Sequence, residues 1–299
     1  ASRDLEKARR LLAEAVAAHP EIEEAYAALA AIESGADRFE EAVKWCTRGW
    51  ERDRGYLPHL LSRGHTRMKW GDYKTGHGGD PGPLYQAAIG DYDEAQKLNP
   101  KNDVTWLWRG GTRVNWGVYQ AVRGEDPREH FQAAIDDFGE ALKLNPKNDV
   151  TWQFRGNVRI NCGNCKQRCG EDPGPLYQAA IDDYGEALNL NPKNDETWRT
   201  RGIARVNWGA HKMGRGEDPR ELFQAAIDDF DEALKLNLKN DVTWVWRGYL
   251  RMTWGVYKGG RREDPRPLYQ AAIDDWGEAL KLNPKYDVTW QKRGLARMN

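Results

Sequence analysis

Trp106, Trp152, Trp198, Trp244 and Trp290 stand a constant 46 residues apart. A chain that copies itself at such a period folds as a stack of like units, each burying its apolar face against its neighbours. One unit reads "DVTWLWRGGTRVNWGVYQAVRGEDPREHFQAAIDDFGEALKLNPKN", residues 103–148. Between Pro127 and Leu144 the apolar residues Phe131, Ile135, Phe138, Ala141 and Leu142 fall at helical spacing. Asp126 precedes them as N-cap, with Pro127 at N1 and Glu129 at N3, the order that starts a helix. The run stops at "LNPKN", because Pro146 cannot continue it, and a second amphipathic run begins near Asp149. Each unit is therefore predicted to be a helical hairpin.

Composition narrows the function classes. Charged residues make up 30% of the 299 and apolar residues 39%, yet there are 14 Trp and 12 Tyr, so aromatics are buried within a polar shell, as in a thin, elongated fold. Lys plus Arg (45) nearly cancels Asp plus Glu (46), which leaves no broad basic footprint for nucleic acid. No stretch reaches the length and apolarity of a membrane span, and "ASRDLEKARR" lacks a signal-peptide core. The expectation is a soluble cytoplasmic protein with no membrane or nucleic-acid partner. Four unevenly spaced Cys do not read as a disulfide framework.

The unit resembles the tetratricopeptide repeat. That family's pattern appears as Trp106, Gly110, Gly117 with Tyr119 read as a Gly-x-aromatic turn, then Ala134, Phe138, Ala141 and Pro146. The departure is an insertion of 12 residues between Tyr119 and Ala134, which makes 46 of the usual 34. Residues 1–56 lack it: Ala8, Leu12, Ala15 and Pro20 fit a second helix, and Tyr26, Phe39, Ala42 and Cys46 one ordinary 34-residue repeat. Residues 57–299 form the array of extended repeats, the last one truncated. The resemblance implies an all-α, right-handed superhelical solenoid of antiparallel helix hairpins. Its register, opening in a second helix and closing in a first, implies a piece of a longer array whose open ends self-associate unless capped.

Residues copied in every unit read as scaffold. Gly64, Gly110, Gly156, Gly202, Gly248 and Gly294 fall inside helices, where each costs about 1 kcal/mol against Ala, so helices must approach closely there. Arg109 and Arg113 recur as Arg155 and Arg159, Arg201 and Arg205, Arg247 and Arg251. They form either an anion-binding rail or pairs with the equally repeated Asp136 and Asp137, and the balanced charge count favours pairs. If the first helix continues through the insertion, Trp116, Tyr119 and Arg123 share one face. In one unit Cys162, Cys165 and Cys169 replace this set. Small buried thiols standing in for aromatics is one reading; a zinc or iron–sulfur site with His211 as fourth ligand is the other. The expected cofactor is none.

Variation concentrates on the first helix. The resemblance places the groove-facing residues at its fifth, ninth and thirteenth positions, here Leu107, Gln153, Arg199, Val245 and Gln291 at the fifth, with Asn157, Tyr249 and Leu295 among the ninth. Asn115, Asn161 and Asn207 occupy the thirteenth, a row that resembles the asparagine ladder of the O-linked N-acetylglucosamine transferase repeats, with amides able to donate to and accept from a peptide backbone. The six His are scattered and no nucleophile elbow or phosphate loop occurs. The sequence therefore predicts a non-enzymatic scaffold that binds a protein or extended peptide in its concave groove. A self-assembling structural solenoid and the metal or redox site stand as alternatives.

Overall fold

The computed structural model describes residues 2–285, and all thirteen elements among them are α-helices. Trp290, Gln291, Gly294 and Leu295 lie outside the described residues. The chain divides into two compact units, Ala1–Pro146 and Lys147–Asn299. The first holds α1 (Ser2–Ala18), α2 (Glu23–Gly35), α3 (Phe39–Arg52), α4 (Leu57–Gly76), α5 (Gly82–Leu98), α6 (Asp103–Val122) and α7 (Arg128–Leu144). The second holds α8 (Asp149–Arg168), α9 (Gly174–Leu190), α10 (Asp195–Gly214), α11 (Arg220–Leu236), α12 (Asp241–Gly260) and α13 (Arg266–Leu282). In both, successive helices pair into hairpins (α2 with α3, α4 with α5 and so on), and each hairpin stacks on the next of its unit. None of the described helices is long and apolar enough to cross a membrane.

The insertion is mostly helix. The first helix of the hairpin grows from 13 residues in α2 to 20 in α6, and the second from 14 in α3 to 17 in α7. The remaining two residues lengthen the turn. Helix α6 therefore runs straight through Gly117 and Tyr119, and the Gly-x-aromatic segment is not a turn. Gly117 is instead a point of close contact: a Cβ there would lie 2.7 Å from the Phe131 ring of α7, as one at Gly110 would lie 2.8 Å from Phe138. Gly156 and Gly163 meet Tyr184 and Tyr177, and Gly202 and Gly209 meet Phe230 and Phe223, in the same way. The missing side chains let a fully buried ring settle onto the opposing backbone.

Helices start where capping residues stand. Asn102, Asn148, Asn194 and Asn240 hold extended backbone before α6, α8, α10 and α12, and each side-chain oxygen accepts from a first-turn amide. The "LNPKN" segment also ties each hairpin shut, because Asn145 donates to Asp103 at 2.8 Å and Asn191 to Asp149 at 3.0 Å. Before α7, the Asp126 carboxylate accepts from the Arg128 amide at 3.1 Å, and Pro127 is already helical at φ −88°, ψ −1°. The Arg128 side chain and then its amide hold the Asp126 carboxyl down at about 2, and Asp218 and Asp264 are depressed for the same reason. A folded value below the ordinary value of about 3.9 means these caps stabilise above about pH 4 and lose that contribution as pH falls through their lowered folded values. Urea midpoints measured between about pH 5 and 2 should fall less steeply in an Asp126→Asn/Asp218→Asn/Asp264→Asn variant than in wild type. An unchanged slope would show that other groups govern acid unfolding.

The arginine rows resolve as buried ion pairs. Arg109 and Arg113 of α6 both reach Asp137 of α7 at 2.6 Å, and Arg113 also donates to the Ala133 carbonyl. The arrangement repeats at Arg63, Arg67 and Asp91, at Arg155, Arg159 and Asp183, at Arg201, Arg205 and Asp229, and at Arg247, Arg251 and Asp275. Only one of each paired Asp takes part. Asp136 is exposed and accepts from Gln132 instead. Burial pushes the Asp137, Asp183 and Asp229 carboxyls above their ordinary value, against the pull of two guanidinium groups on each. The periodic Trp closes the assembly from outside: Trp106, Trp152, Trp198 and Trp244 lie 4.5–4.7 Å from the guanidinium of Arg109, Arg155, Arg201 and Arg247. Each arginine of the rows spends donors on a buried carboxylate, and those of the second row also on a carbonyl, which leaves little for an anion rail.

Candidate functional site

Of the described residues singled out at the groove positions, α6 of the first unit carries Leu107 and Asn115, and α8, α10 and α12 of the second carry Gln153, Asn157, Asn161, Arg199, Asn207, Val245 and Tyr249. All are at least partly exposed. They differ in how far the protein itself engages them. The Asn115 amide donates to Asp72 at 2.9 Å, and Asp72 also accepts from the Tyr85 hydroxyl at 2.7 Å. On α8, Asn157 accepts from Tyr184 at 2.6 Å, and Gln153 has only long contacts, 3.4 Å to Asn194 and to the Asp149 carbonyl. On α10, Arg199 pairs with exposed Glu196 at 3.2 Å, while its Nε is buried without a partner. On α12, the Val245 carbonyl accepts from Trp276 at 3.2 Å, and Tyr249 stands edge-on to Trp246 at 5.7 Å, against the core of Val206, Phe223 and Leu250.

Asn161 and Asn207 are different. They occupy equivalent places on α8 and α10, helices in contact with each other, and neither amide has a hydrogen-bond partner among the described residues. Apart from Arg199, the second unit's candidate residues (Gln153, Asn157, Asn161, Asn207, Val245 and Tyr249) are uncharged, on a chain that is 30% charged. Depletion of charge with aromatic enrichment marks the centre of an interface rather than a solvated face.

The cysteines do not assemble a metal centre. Helix α8 puts Cys162 and Cys165 on its buried side, where Cys165 accepts from Arg168 at 3.2 Å, but it ends at Arg168. Cys169 is the exposed C-cap, whereas the other two are buried. His211 lies on α10 with its Nε2 3.7 Å from Asp172. Among the described residues no three His, Cys, Asp or Glu side chains are placed to hold an ion, so the zinc or iron–sulfur alternative is unsupported. Gly163, which looks like a helix weakness, is the seat of the Tyr177 ring.

One regularity escaped the 46-residue reading. Tyr85 and Tyr92 recur as Tyr177 and Tyr184, whereas the intervening hairpins carry Phe131 and Phe138, Phe223 and Phe230. Gly82-Pro83 and Gly174-Pro175 alternate likewise with Arg128-Glu129 and Arg220-Glu221. Three of the four tyrosines use their hydroxyls, Tyr85 reaching Asp72, Tyr177 reaching Asn164 at 2.7 Å and Gln167 at 2.9 Å, and Tyr184 reaching Asn157, while the Tyr92 hydroxyl is buried without a partner. The first four extended hairpins thus alternate in kind over 92 residues, while the fifth joins Tyr269 to Arg266 and Trp276. Comparing units two apart would have exposed this from sequence.

No protein-family model matches the chain, and no curated protein does. Solved structures do. The C-terminal part of a TPR repeat-containing protein from Cytophaga hutchinsonii superposes with a TM-score of 0.62 at 13% identity, covering 97% of this chain and 95% of that one. A tetratricopeptide repeat protein from Parabacteroides merdae gives 0.51 at 15% identity, covering 100% and 94%. YrrB, described as a TPR protein with an unusual peptide-binding site, gives 0.51 at 13% identity over 83% and 97%. The helical hairpins, their stacking and these likenesses together establish that the chain has the tetratricopeptide-repeat fold, in a form with lengthened hairpins.

Proposed function

We propose that this protein is a non-enzymatic binding scaffold, and that the first-helix face of the second unit, formed by α8, α10 and α12, holds an extended peptide segment of a protein partner. The observation that carries the reading is the pair of unpartnered amides of Asn161 and Asn207 among candidate residues of which only Arg199 is charged. Packed helices lie about 8–10 Å apart, and an extended chain advances about 3.3 Å per residue. Amides on successive first helices would then meet a bound backbone at about every third residue. Each can donate to a peptide carbonyl and accept from a peptide N–H, so recognition of the backbone comes from Asn161 and Asn207, and choice of side chains from Gln153, Arg199, Val245 and Tyr249. That YrrB, which shares the fold, has a peptide-binding site supports this reading.

The test is to pan a displayed peptide library against the whole chain and measure a selected peptide by fluorescence anisotropy. Asn161→Ala/Asn207→Ala should weaken binding about tenfold or more, as expected for two lost hydrogen bonds of about 0.5–1.5 kcal/mol each, with the helical circular dichroism signal unchanged. Affinity untouched by that variant and by Tyr249→Ala would overturn the assignment.

A further inference from the structure

Two pockets lie at the outer ends of the lengthened hairpins. In the first unit the start of α5 and the end of α6 enclose about 520 Å³, lined among others by Asp80, Gly82, Trp116, Tyr119, Gln120 and Arg123. The positions 92 residues further on, in the second unit, enclose about 390 Å³ between α9 and α10.

Three sister hairpins carry an arginine at the place of Gly82. Asp126, Asp218 and Asp264 are each followed two residues later by an arginine whose fork lies on the carboxylate. Arg128 places Nε and Nη2 2.7–3.0 Å from Asp126, and Arg220 and Arg266 make the same contacts to Asp218 and Asp264. Asp80 has glycine at that place. Among the described residues its carboxylate makes one hydrogen bond, to the Gly82 amide at 2.9 Å. The chain thus builds the acceptor half of a guanidinium site at Asp80 and omits its own guanidinium.

A second observation points the same way. The Gln120 Oε1 in this pocket is buried and has no hydrogen-bond partner. Both under-used groups are acceptors, so the missing ligand is a donor. Trp116, whose ring stacks on His130 at 4.2 Å, and Tyr119 also line it. Resident Arg123 is neutralised by Glu125 at 2.8 Å and lies over Tyr119 at 5.5 Å. A guanidinium offers five N–H donors in one plane, matches a carboxylate with its fork, and stacks on aromatic faces. The α9–α10 pocket has the same glycine, Gly174, but already holds a cation: Lys212 replaces Gln120 and lies 5.3 Å from the Trp208 ring, and His211 replaces Tyr119, 3.7 Å from Asp172.

We propose that the pocket between α5 and α6 binds a guanidinium group, taking the place that Arg128, Arg220 and Arg266 fill in the other hairpins, and that the α9–α10 pocket does not. The site is separate from the peptide face proposed above.

The probe is fluorescein-labelled Gly-Arg-Gly amide titrated into the whole chain and followed by polarisation, beside the same peptide carrying citrulline or lysine. The arginine peptide should bind saturably, at least about tenfold tighter than either control. Binding should disappear in Gly82→Arg, which installs the sister hairpins' own arginine and so is compatible with folding, and in Gln120→Lys, which copies the second pocket. It should persist in Gly174→Arg. Competition by arginine amide at the peptide's own affinity would identify a small-molecule site, and competition only by peptides a partner's side chain; either supports a guanidinium site. Equal binding of the citrulline peptide, retention in Gly82→Arg, loss in Gly174→Arg, or no saturable binding would overturn the proposal.

Discussion

Asp229→Ala is expected to cost about 3–5 kcal/mol, because it strands two buried guanidinium groups with no counter-charge. Arg201 and Arg205 reach Asp229 at 2.7 and 2.5 Å, and the carboxylate is 1% exposed. No rotamer change would return both arginines to water, since Arg201 is covered by Trp198 and Arg205 is also bonded to the Ala225 carbonyl. The neighbouring Asp228 is the control. It is exposed and accepts only from Gln224, so Asp228→Ala should stay within about 0.5 kcal/mol of wild type. The measurement is urea unfolding followed by circular dichroism, with hydrogen exchange to locate the loss in α10 and α11. Equal effects at the two positions would mean that the ion pairs are not what closes the hairpin.

Gly202→Ala should also destabilise, by about 1–3 kcal/mol, although alanine in a helix interior is ordinarily worth about 1 kcal/mol over glycine. The added Cβ would stand 2.8 Å from the Phe230 ring, which is fully buried and cannot retreat. Gly185, inside α9, has nothing within 4 Å of an added methyl, and there the same substitution should gain about 1 kcal/mol. Opposite signs for one chemical change separate close approach from propensity. Shortening the ring in Gly202→Ala/Phe230→Leu should recover part of the loss. If Gly202→Ala stabilised as Gly185→Ala does, the close seating of helix on ring would be wrong.

The parts of this fold set by local chemistry were legible in the sequence. Asp126 with Pro127 marked a helix start, Pro146 a stop, and the recurrence of Gly110 a close contact, because each acts within a few residues of itself. The destination of the 12 inserted residues was not legible, since Gly117 suits a turn and a ring seat equally well until Phe131 is placed opposite it. The cysteines misled for a related reason. Cys162 and Cys165 are buried while the C-cap Cys169 is exposed, and which of them is covered depends on neighbours that the spacing does not show. At the candidate face the sequence located the positions but could not tell Asn115, engaged by Asp72, from Asn161 and Asn207, because that depends on partners 43 residues away or on their absence. The alternation over 92 residues was present in the letters, and it was the stronger 46-residue period that hid it.

The seven residues added to the first helix have a geometric consequence. At about 100° per residue they advance the helix by about 700°, within about 20° of two whole turns. Everything beyond the insertion therefore keeps its compass bearing on the helix. Gly117 and Phe131 are the rung after Gly110 and Phe138, one heptad further along both rails of the same ladder. A hairpin built this way can change its height without disturbing how it stacks, so reach and stacking are independent dimensions of the repeat. An insertion of five residues would turn the outer segment by about 140° and point the second glycine into solvent.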